Sequence, residues 1–137
     1  MDWYEQVKAL EAGSSSLTDA VYSKDRLVRA AAARHPDLTD RQARTLARDT
    51  EPLVRTLIAM RPDLASETTD ALSYDTDVHV LRAVAARIDL TDGQRRRLAR
   101  SQDAVVQSLL GRTEAAEWLR ALPFMPDAPE ERRGLFS

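Results

Sequence analysis

The amino-acid sequence repeats itself with a period of 26 residues. Three segments, 23–48, 49–74 and 75–100, align without a gap, and a fourth copy begins at residue 101 and then drifts. The aligned columns are small or aliphatic: Val28, Val54, Val80 and Val106; Ala33, Ala59 and Ala85; Leu46, Leu72 and Leu98. A unit this short cannot bury its apolar face alone, so consecutive units must stack to make a continuous core.

Each unit predicts two short helices. Val28, Ala31 and Ala32 follow the i, i+3, i+4 spacing of one helical face, and they place the first helix over about residues 25–35. Thr39 and Gln42 then have the spacing of a capping box, which begins the second helix. No run alternates between apolar and polar residues as a strand would. The sequence therefore predicts an all-α fold, a short right-handed α-solenoid of stacked two-helix repeats with degenerate capping repeats.

The period also divides the chain. We expect one domain over residues 1–122, with an N-terminal cap at 1–22, the three repeats, and a C-terminal cap at 101–122. In that last unit a second helix is expected near residues 114–122, ended by Pro123. Residues 123–137 are interpreted as an extended tail, which would lie in the groove or dock onto another copy through Leu135 and Phe136.

The repeated motif resembles the bacterial variant leucine-rich repeat, a family related in character to HEAT-like helical repeats. The resemblance spans residues 20–112, and its best matches are Val28-Arg29, Val54-Arg55, Leu46-Ala47-Arg48-Asp49 and Arg61-Pro62-Asp63-Leu64. It implies an all-helical superhelix in which one helix of each unit is sometimes of the 3₁₀ type. The period is slightly longer than is usual in that family, which favours two α-helices per unit. Some members hold a Cys-ligated iron–sulfur cluster, and this chain has no cysteine to do so.

Composition narrows the function. Without cysteine there is no thiol nucleophile or Cys-ligated metal, and two histidines leave little for a His-based site. No Gly-rich phosphate loop, H-E-x-x-H or G-x-S-x-G motif is present, so we expect neither an enzyme nor a cofactor. The first residues do not have the basic start and apolar run that are typical of a signal peptide, and no stretch approaches the roughly 20 apolar residues that a bilayer requires. We therefore expect a cytoplasmic protein with no membrane partner.

Arginine is the main polar feature. The run Arg95-Arg96-Arg97 with Arg100 is the densest, and a surface of this kind would track phosphates in DNA or RNA. However, Arg44, Asp70 and Arg96 share one column, so the middle repeat is acidic where its neighbours are basic. Such alternation favours ion pairs between repeats and interrupts any continuous basic stripe. We therefore prefer the structural interpretation of these charges and keep nucleic-acid association through the third repeat as the alternative.

A second column holds Arg48, Tyr74 and Arg100, where the tyrosine ring would stack between two guanidinium groups. Tyrosine and arginine are common anchors of protein interfaces, so these residues, with Arg96, are candidates for binding a protein partner. His79 is a further candidate because it replaces an apolar residue in its column and titrates near neutral pH. The alternative is that His79 lies at a partly exposed position that tolerates it.

A ladder of acidic and basic residues is predicted along the first helices. Asp25 with Arg29 and Glu51 with Arg55 have the favourable i, i+4 spacing, and Asp77 with the displaced Arg82 continues the row. We expect this ladder to satisfy polar groups between units, with a partner contact as the alternative. The overall expectation is a non-catalytic protein–protein interaction module, monomeric or weakly self-associating.

Overall fold

The computed structural model describes residues 2–13 and 15–121, with side chains as far as Arg112. Within those ranges the fold is all-α, with nine helices and no strands. The helices are α1 (Trp3–Glu11), α2 (Leu17–Val21), α3 (Arg26–Ala33), α4 (Asp40–Leu46), α5 (Pro52–Ala59), α6 (Ser66–Leu72), α7 (Val78–Ala85), α8 (Asp92–Leu98) and α9 (Ala104–Ala121). No helix in the described ranges is long and apolar enough to cross a bilayer.

The helix boundaries follow the sequence period. α3, α5 and α7 each contain 8 residues and start 26 residues apart, and α4, α6 and α8 each contain 7 residues with the same offset. The second helix of each pair is thus α-helical rather than 3₁₀. The regular starts have a local cause, because Thr39 and Thr91 both complete capping boxes with the glutamine three residues later. Ala65 occupies the same position before α6 and offers no side-chain cap.

The core is built from the repeated apolar columns. Helices α1, α3, α5, α7 and α9 pack side by side in that order, and α2, α4, α6 and α8 each contact the flanking members of this row. The four valines at positions 28, 54, 80 and 106 are at most 2% exposed, and Leu46, Leu72 and Leu98 are each 1% exposed. Alanine at positions 33, 59 and 85 is fully buried, where its small side chain lets neighbouring helices approach closely.

The last helix differs from the prediction. The expected turn and separate second helix near residues 114–122 are not formed, and α9 runs without a break for 18 residues. The preceding units turn at Pro36 and Pro62 and then carry an Asp-Leu pair. At the corresponding positions this unit has Glu114 followed by two alanines, and these residues favour continuation of a helix. Pro123 and the predicted tail at 123–137, with Leu135 and Phe136, lie outside the described residues.

Candidate interaction surface

Three arginine–aspartate pairs join successive units. The Nε of Arg29 lies 2.8 Å from Oδ2 of Asp49, and the Nε of Arg55 lies 2.7 Å from Oδ2 of Asp75. Arg82 makes a similar forked contact with Asp103, at 2.8 and 3.0 Å. Each arginine projects from the first helix of one unit to the turn that begins the next. A ladder between units is therefore present, but its acidic members are not those expected from i, i+4 spacing.

The predicted acidic partners have other roles. Oδ1 of Asp25 accepts the backbone N–H of Leu27 at 2.8 Å, and Asp77 accepts the N–H groups of His79 and Val80. Both carboxylates therefore cap the start of their own helix, where the first backbone N–H groups lack intrahelical acceptors. Glu51 lies 3.6 Å from Arg26 rather than pairing with Arg55. At Asp25 and Asp77, helix capping thus occupies the carboxylate that i, i+4 pairing would otherwise use.

The ladder shifts the pKa values of Arg55, Arg82 and Asp103. The hydrogen bond from Arg82, together with the backbone N–H of Val106, lowers the pKa of Asp103 to about 2. The same pairing raises the pKa of the Arg82 guanidinium, and the hydrogen bond to Asp75 raises the pKa of Arg55. These groups therefore remain ionised across the physiological range and stay committed to internal contacts.

A second series of arginine contacts was not predicted. Nη1 of Arg61 donates to the backbone oxygens of Ala33 and His35, each at 3.0 Å. One unit later, Nη1 of Arg87 donates to the backbone oxygens of Ala59 and Arg61, at 2.7 and 2.6 Å. Carbonyls at the end of a helix have no intrahelical donor, so each arginine caps the helix of the preceding unit. The signal was available in the sequence, because positions 61 and 87 share one column.

Tyr74 stacks on a different arginine from those predicted. The guanidinium carbon of Arg97 lies 3.8 Å from the centre of the Tyr74 ring. Arg97 also donates to Asp70 at 2.9 Å and to the hydroxyl of Ser73 at 2.7 Å. The predicted sandwich of Tyr74 between Arg48 and Arg100 is therefore replaced by a contact with α8. The predicted ion pair between repeats does form at Asp70, but with Arg97 rather than Arg96.

These contacts divide the arginine run on α8. Arg95 is buried, and the side chain of Arg97 is only 23% exposed. Arg96 and Arg100 remain exposed. A run that looks like a continuous cationic stripe in the sequence thus presents two exposed guanidinium groups, because successive residues of a helix face different directions.

The turns that follow α2, α4, α6 and α8 carry an exposed row of tyrosine and arginine. Its members are Tyr22, Arg48, Tyr74 and Arg100. Tyr22 is 70% exposed and Tyr74 is 65% exposed. Three of these residues were candidates from the sequence. Tyr22 was missed, although it lies 26 residues before Arg48, because its unit is too degenerate to show the motif.

The backbone holds this row in one conformation. The residue after each member donates its N–H to the carbonyl three residues earlier: Ser23 to Ala20, Asp49 to Leu46, Asp75 to Leu72, and Ser101 to Leu98, at 3.0–3.2 Å. The side chains of those four residues each accept the N–H two positions later, at 2.9–3.2 Å. The four turns therefore share one backbone conformation and present side chains at four equivalent positions.

His79 is exposed in the first turn of α7, close to the turn that carries Tyr74. Its backbone N–H donates to Oδ1 of Asp77 at 2.9 Å. Exposure at this position agrees with the interpretation that the column tolerates a polar residue here, since Leu53 in the same column is 48% exposed. Among the described residues, no group of three or more His, Asp or Glu side chains is arranged to hold a metal ion.

An apolar groove lies on a different part of the molecule. It has a volume of about 620 Å³ and runs between α1, α3 and α5, lined by Trp3, Val7, Leu27, Leu53 and Leu57 among others. A second hollow of about 550 Å³ continues it past Pro36 and Met60.

No protein-family model, curated protein or solved structure matches this chain.

Proposed function

We propose that this chain is a non-catalytic protein–protein interaction module. In this proposal its helices form a short right-handed α-solenoid of the variant leucine-rich or HEAT-like type. The solenoid presents a fixed surface to a protein partner, and the turns after α2, α4, α6 and α8 form the contact. The exposed row of Tyr22, Arg48, Tyr74 and Arg100 is the observation that carries the proposal.

The links between units support the solenoid. The ladder joins residues 20 or 21 positions apart, and the carbonyl caps from Arg61 and Arg87 span 26 and 28 positions. Equivalent side chains thus make equivalent contacts in successive units. Most polar groups along the stacking direction bond within the chain, as expected of a structural core rather than a reaction centre.

The composition of the exposed row supports binding to protein. Exposing a large aromatic ring to water is unfavourable, and such side chains are enriched where a partner protein covers them. Tyrosine and arginine also carry much of the binding energy in many interfaces. Tyr74 is also pre-ordered, because its ring rests on Arg97 and loses less rotamer freedom when it is covered.

Affinity capture tests the proposal. The full chain is immobilised and exposed to a lysate of its source cells, and recovered proteins are quantified for the wild type and for Tyr74→Ala. We expect Tyr74→Ala to reduce recovery of the specific partner at least tenfold while the far-UV circular dichroism stays helical. Met60→Ala is the matched control, because Met60 is also 65% exposed but follows α5, outside the four turns that carry the row. Equal recovery with Tyr74→Ala and the wild type would contradict the proposed surface.

Nucleic-acid association through the third repeat is the second candidate. It would use Arg96 and Arg100, the exposed members of the arginine group on α8. Binding of this kind weakens steeply as salt concentration rises, because bound counterions are released from the phosphates. Retention on heparin or duplex DNA at low salt, lost in Arg96→Glu with Arg100→Glu, would support it. Absence of retention would remove this candidate.

A further inference from the structure

The exposed row belongs to a wider edge of the molecule whose exposed side chains include none that is acidic. We define the cationic edge as the row together with the exposed residues two positions after each member. These are Tyr22, Lys24, Arg48, Thr50, Tyr74, Thr76, Arg100 and Gln102. Three of the eight are basic and none is acidic, in a chain whose net charge is −2. The edge therefore has the opposite sign to the molecule as a whole.

The carboxylates that flank this edge are bound within the fold. They are Asp25 and Asp77, which cap α3 and α7, Asp49, Asp75 and Asp103, which pair with the ladder arginines, and Glu51, which lies 3.6 Å from Arg26. All six residues are only partly exposed. Among the described residues, by contrast, Arg48 and Arg100 have no ion-pair partner. The fold thus neutralises its acids here and leaves its cations to the solvent.

We propose that the cationic edge binds an acidic, extended segment of a partner protein. This inference rests on the proposed interaction function and adds the chemistry of the partner. Carboxylates of the segment pair with Arg48 and Arg100, and its apolar or proline side chains cover the rings of Tyr22 and Tyr74. Charge complementarity determines the sign of the partner, and the two tyrosines provide flat apolar contacts between the charges.

The spacing of the edge fits an extended chain. The turns of the row lead into α3, α5, α7 and α9, which pack side by side, and packed helices lie about 8–10 Å apart, so the turns repeat at about that distance. Three residues of a polyproline II helix advance about 9.3 Å, and the same face then returns to the surface. A segment of about ten residues therefore spans the four turns and presents one side chain to each. An α-helix returns the same face after seven residues and a rise of about 10.5 Å, which is longer than this spacing.

The observations favour a protein segment over a nucleic acid. DNA-binding surfaces commonly neutralise about 6–10 phosphates, whereas this edge offers three basic side chains over four turns. Glu67 is exposed on the neighbouring helix α6, and Asp70 has a side chain that is 50% exposed. A nucleic acid carries a phosphate at every nucleotide and meets this negative charge, whereas the proposed segment places carboxylates only at Arg48 and Arg100.

A defined peptide tests the inference on the full chain. The probe is acetyl-(Glu-Pro-Pro)4-amide, which forms a polyproline II helix with one carboxylate per turn. It is titrated into ¹⁵N-labelled protein, and amide shifts are followed by NMR. We expect the largest shifts in the four turns, at Ser23–Lys24, Asp49–Thr50, Asp75–Thr76 and Ser101–Gln102. The neutral peptide acetyl-(Gln-Pro-Pro)4-amide should bind at least tenfold more weakly.

Two double variants locate the binding. Arg48→Glu with Arg100→Glu should weaken binding of the acidic peptide at least tenfold. Arg34→Glu with Arg41→Glu makes the same change of net charge at exposed positions away from the edge and should alter the Kd less than twofold. The dispersion of each variant's amide spectrum shows that it remains folded.

Several results would overturn the inference. They are no binding of the acidic peptide, shifts outside the four turns, equal weakening by the control variant, or tighter binding of a dT12 oligonucleotide at this edge. The proposed function is tested separately by affinity capture with the Arg48→Glu, Arg100→Glu chain. If that variant still recovers the partner, protein binding stands while the cationic edge and the acidic segment are wrong.

Discussion

The guanidinium of Arg87 caps the end of α5, and removing it gives the sharpest test of how the units are joined. Its side chain is 6% exposed, and Nη1 donates to the carbonyls of Ala59 and Arg61. Leaving a buried carbonyl without a donor costs about 1–3 kcal/mol, so two of them predict a loss of about 2–5 kcal/mol for Arg87→Ala. Arg87 also makes a forked pair with Asp89, at 2.8 and 2.9 Å.

The ion pair is the smaller of the two effects. The side chain of Asp89 is 45% exposed. An ion pair with this much exposure to solvent contributes less than about 1 kcal/mol to stability. Asp89→Asn, which removes only the pair, should therefore cost less than about 1 kcal/mol. Arg61 offers the matched comparison, because it caps the carbonyls of Ala33 and His35 while its acidic neighbour is 3.9 Å away. Arg61→Ala should cost less than Arg87→Ala, about 1–3 kcal/mol, because the carbonyl of His35 keeps the N–H of Leu38 as a donor at 3.2 Å.

Urea unfolding followed by far-UV circular dichroism measures these losses, with the slope m compared between variants so that only stability differences are interpreted. Arg87→Lys keeps the positive charge but cannot donate in the same forked geometry. Its unfolding free energy should therefore fall between those of the wild type and Arg87→Ala. A loss for Asp89→Asn equal to that for Arg87→Ala would show that the ion pair dominates. A loss below about 1 kcal/mol for Arg87→Ala would show that water replaces the guanidinium at both carbonyls.

Four further predictions follow from the packing, the ion pairs and the helix caps. Leu72→Ala removes a side chain that is 1% exposed and should lower the unfolding free energy by about 2–5 kcal/mol in urea titrations, and a negligible loss would contradict its place in the core. Asp75→Asn breaks a ladder pair and should cost about 1–3 kcal/mol by the same assay, whereas Asp70→Asn, at a half-exposed pair, should cost less than about 1 kcal/mol. Asp103 has a pKa of about 2 in the folded chain, below its ordinary value of 3.8, so its stabilisation is complete above about pH 5 and is lost as the pH falls towards 2. Thermal melts of the wild type and Asp103→Asn should therefore differ at pH 6 and converge near pH 2. Ala65→Ser supplies the missing cap of α6 and should raise the unfolding free energy by about 0.5–1 kcal/mol, which an unchanged urea midpoint would refute.

The sequence period was sufficient to locate most helices and the core. Because an apolar column must face the same neighbour in each unit, Val54 and Leu72 could be assigned to the interior before any coordinates were known. The capping boxes at Thr39 and Thr91 were equally accessible, since their contacts span only three residues.

The partners of the arginines were not predictable in the same way. Arg29 has two carboxylates within reach along the sequence, and i, i+4 spacing favours Asp25. The choice of Asp49 depends on the turn between units, which brings that carboxylate beside the helix, and on the capping role that occupies Asp25. The hydrogen bond from Arg87 to the carbonyl of Ala59 spans 28 residues, and its acceptor could not be predicted from the sequence for the same reason. Contacts between units depend on how closely the helices approach, and a periodic pattern does not give that distance.

The constant separation between linked residues has a consequence for the length of the chain. If residues 49–74 are excised as a block, Arg29 meets Asp75 at the separation it now has from Asp49, and Arg87 reaches the carbonyls of Ala33 and His35. The shortened protein keeps the ladder and the carbonyl caps, whereas Arg97 loses its contact with Asp70 and faces Arg44 instead. An excision one residue longer or shorter would put every downstream link out of register. We therefore expect deletion of a whole 26-residue unit to preserve the links between the remaining units, whereas deletion of part of a unit does not.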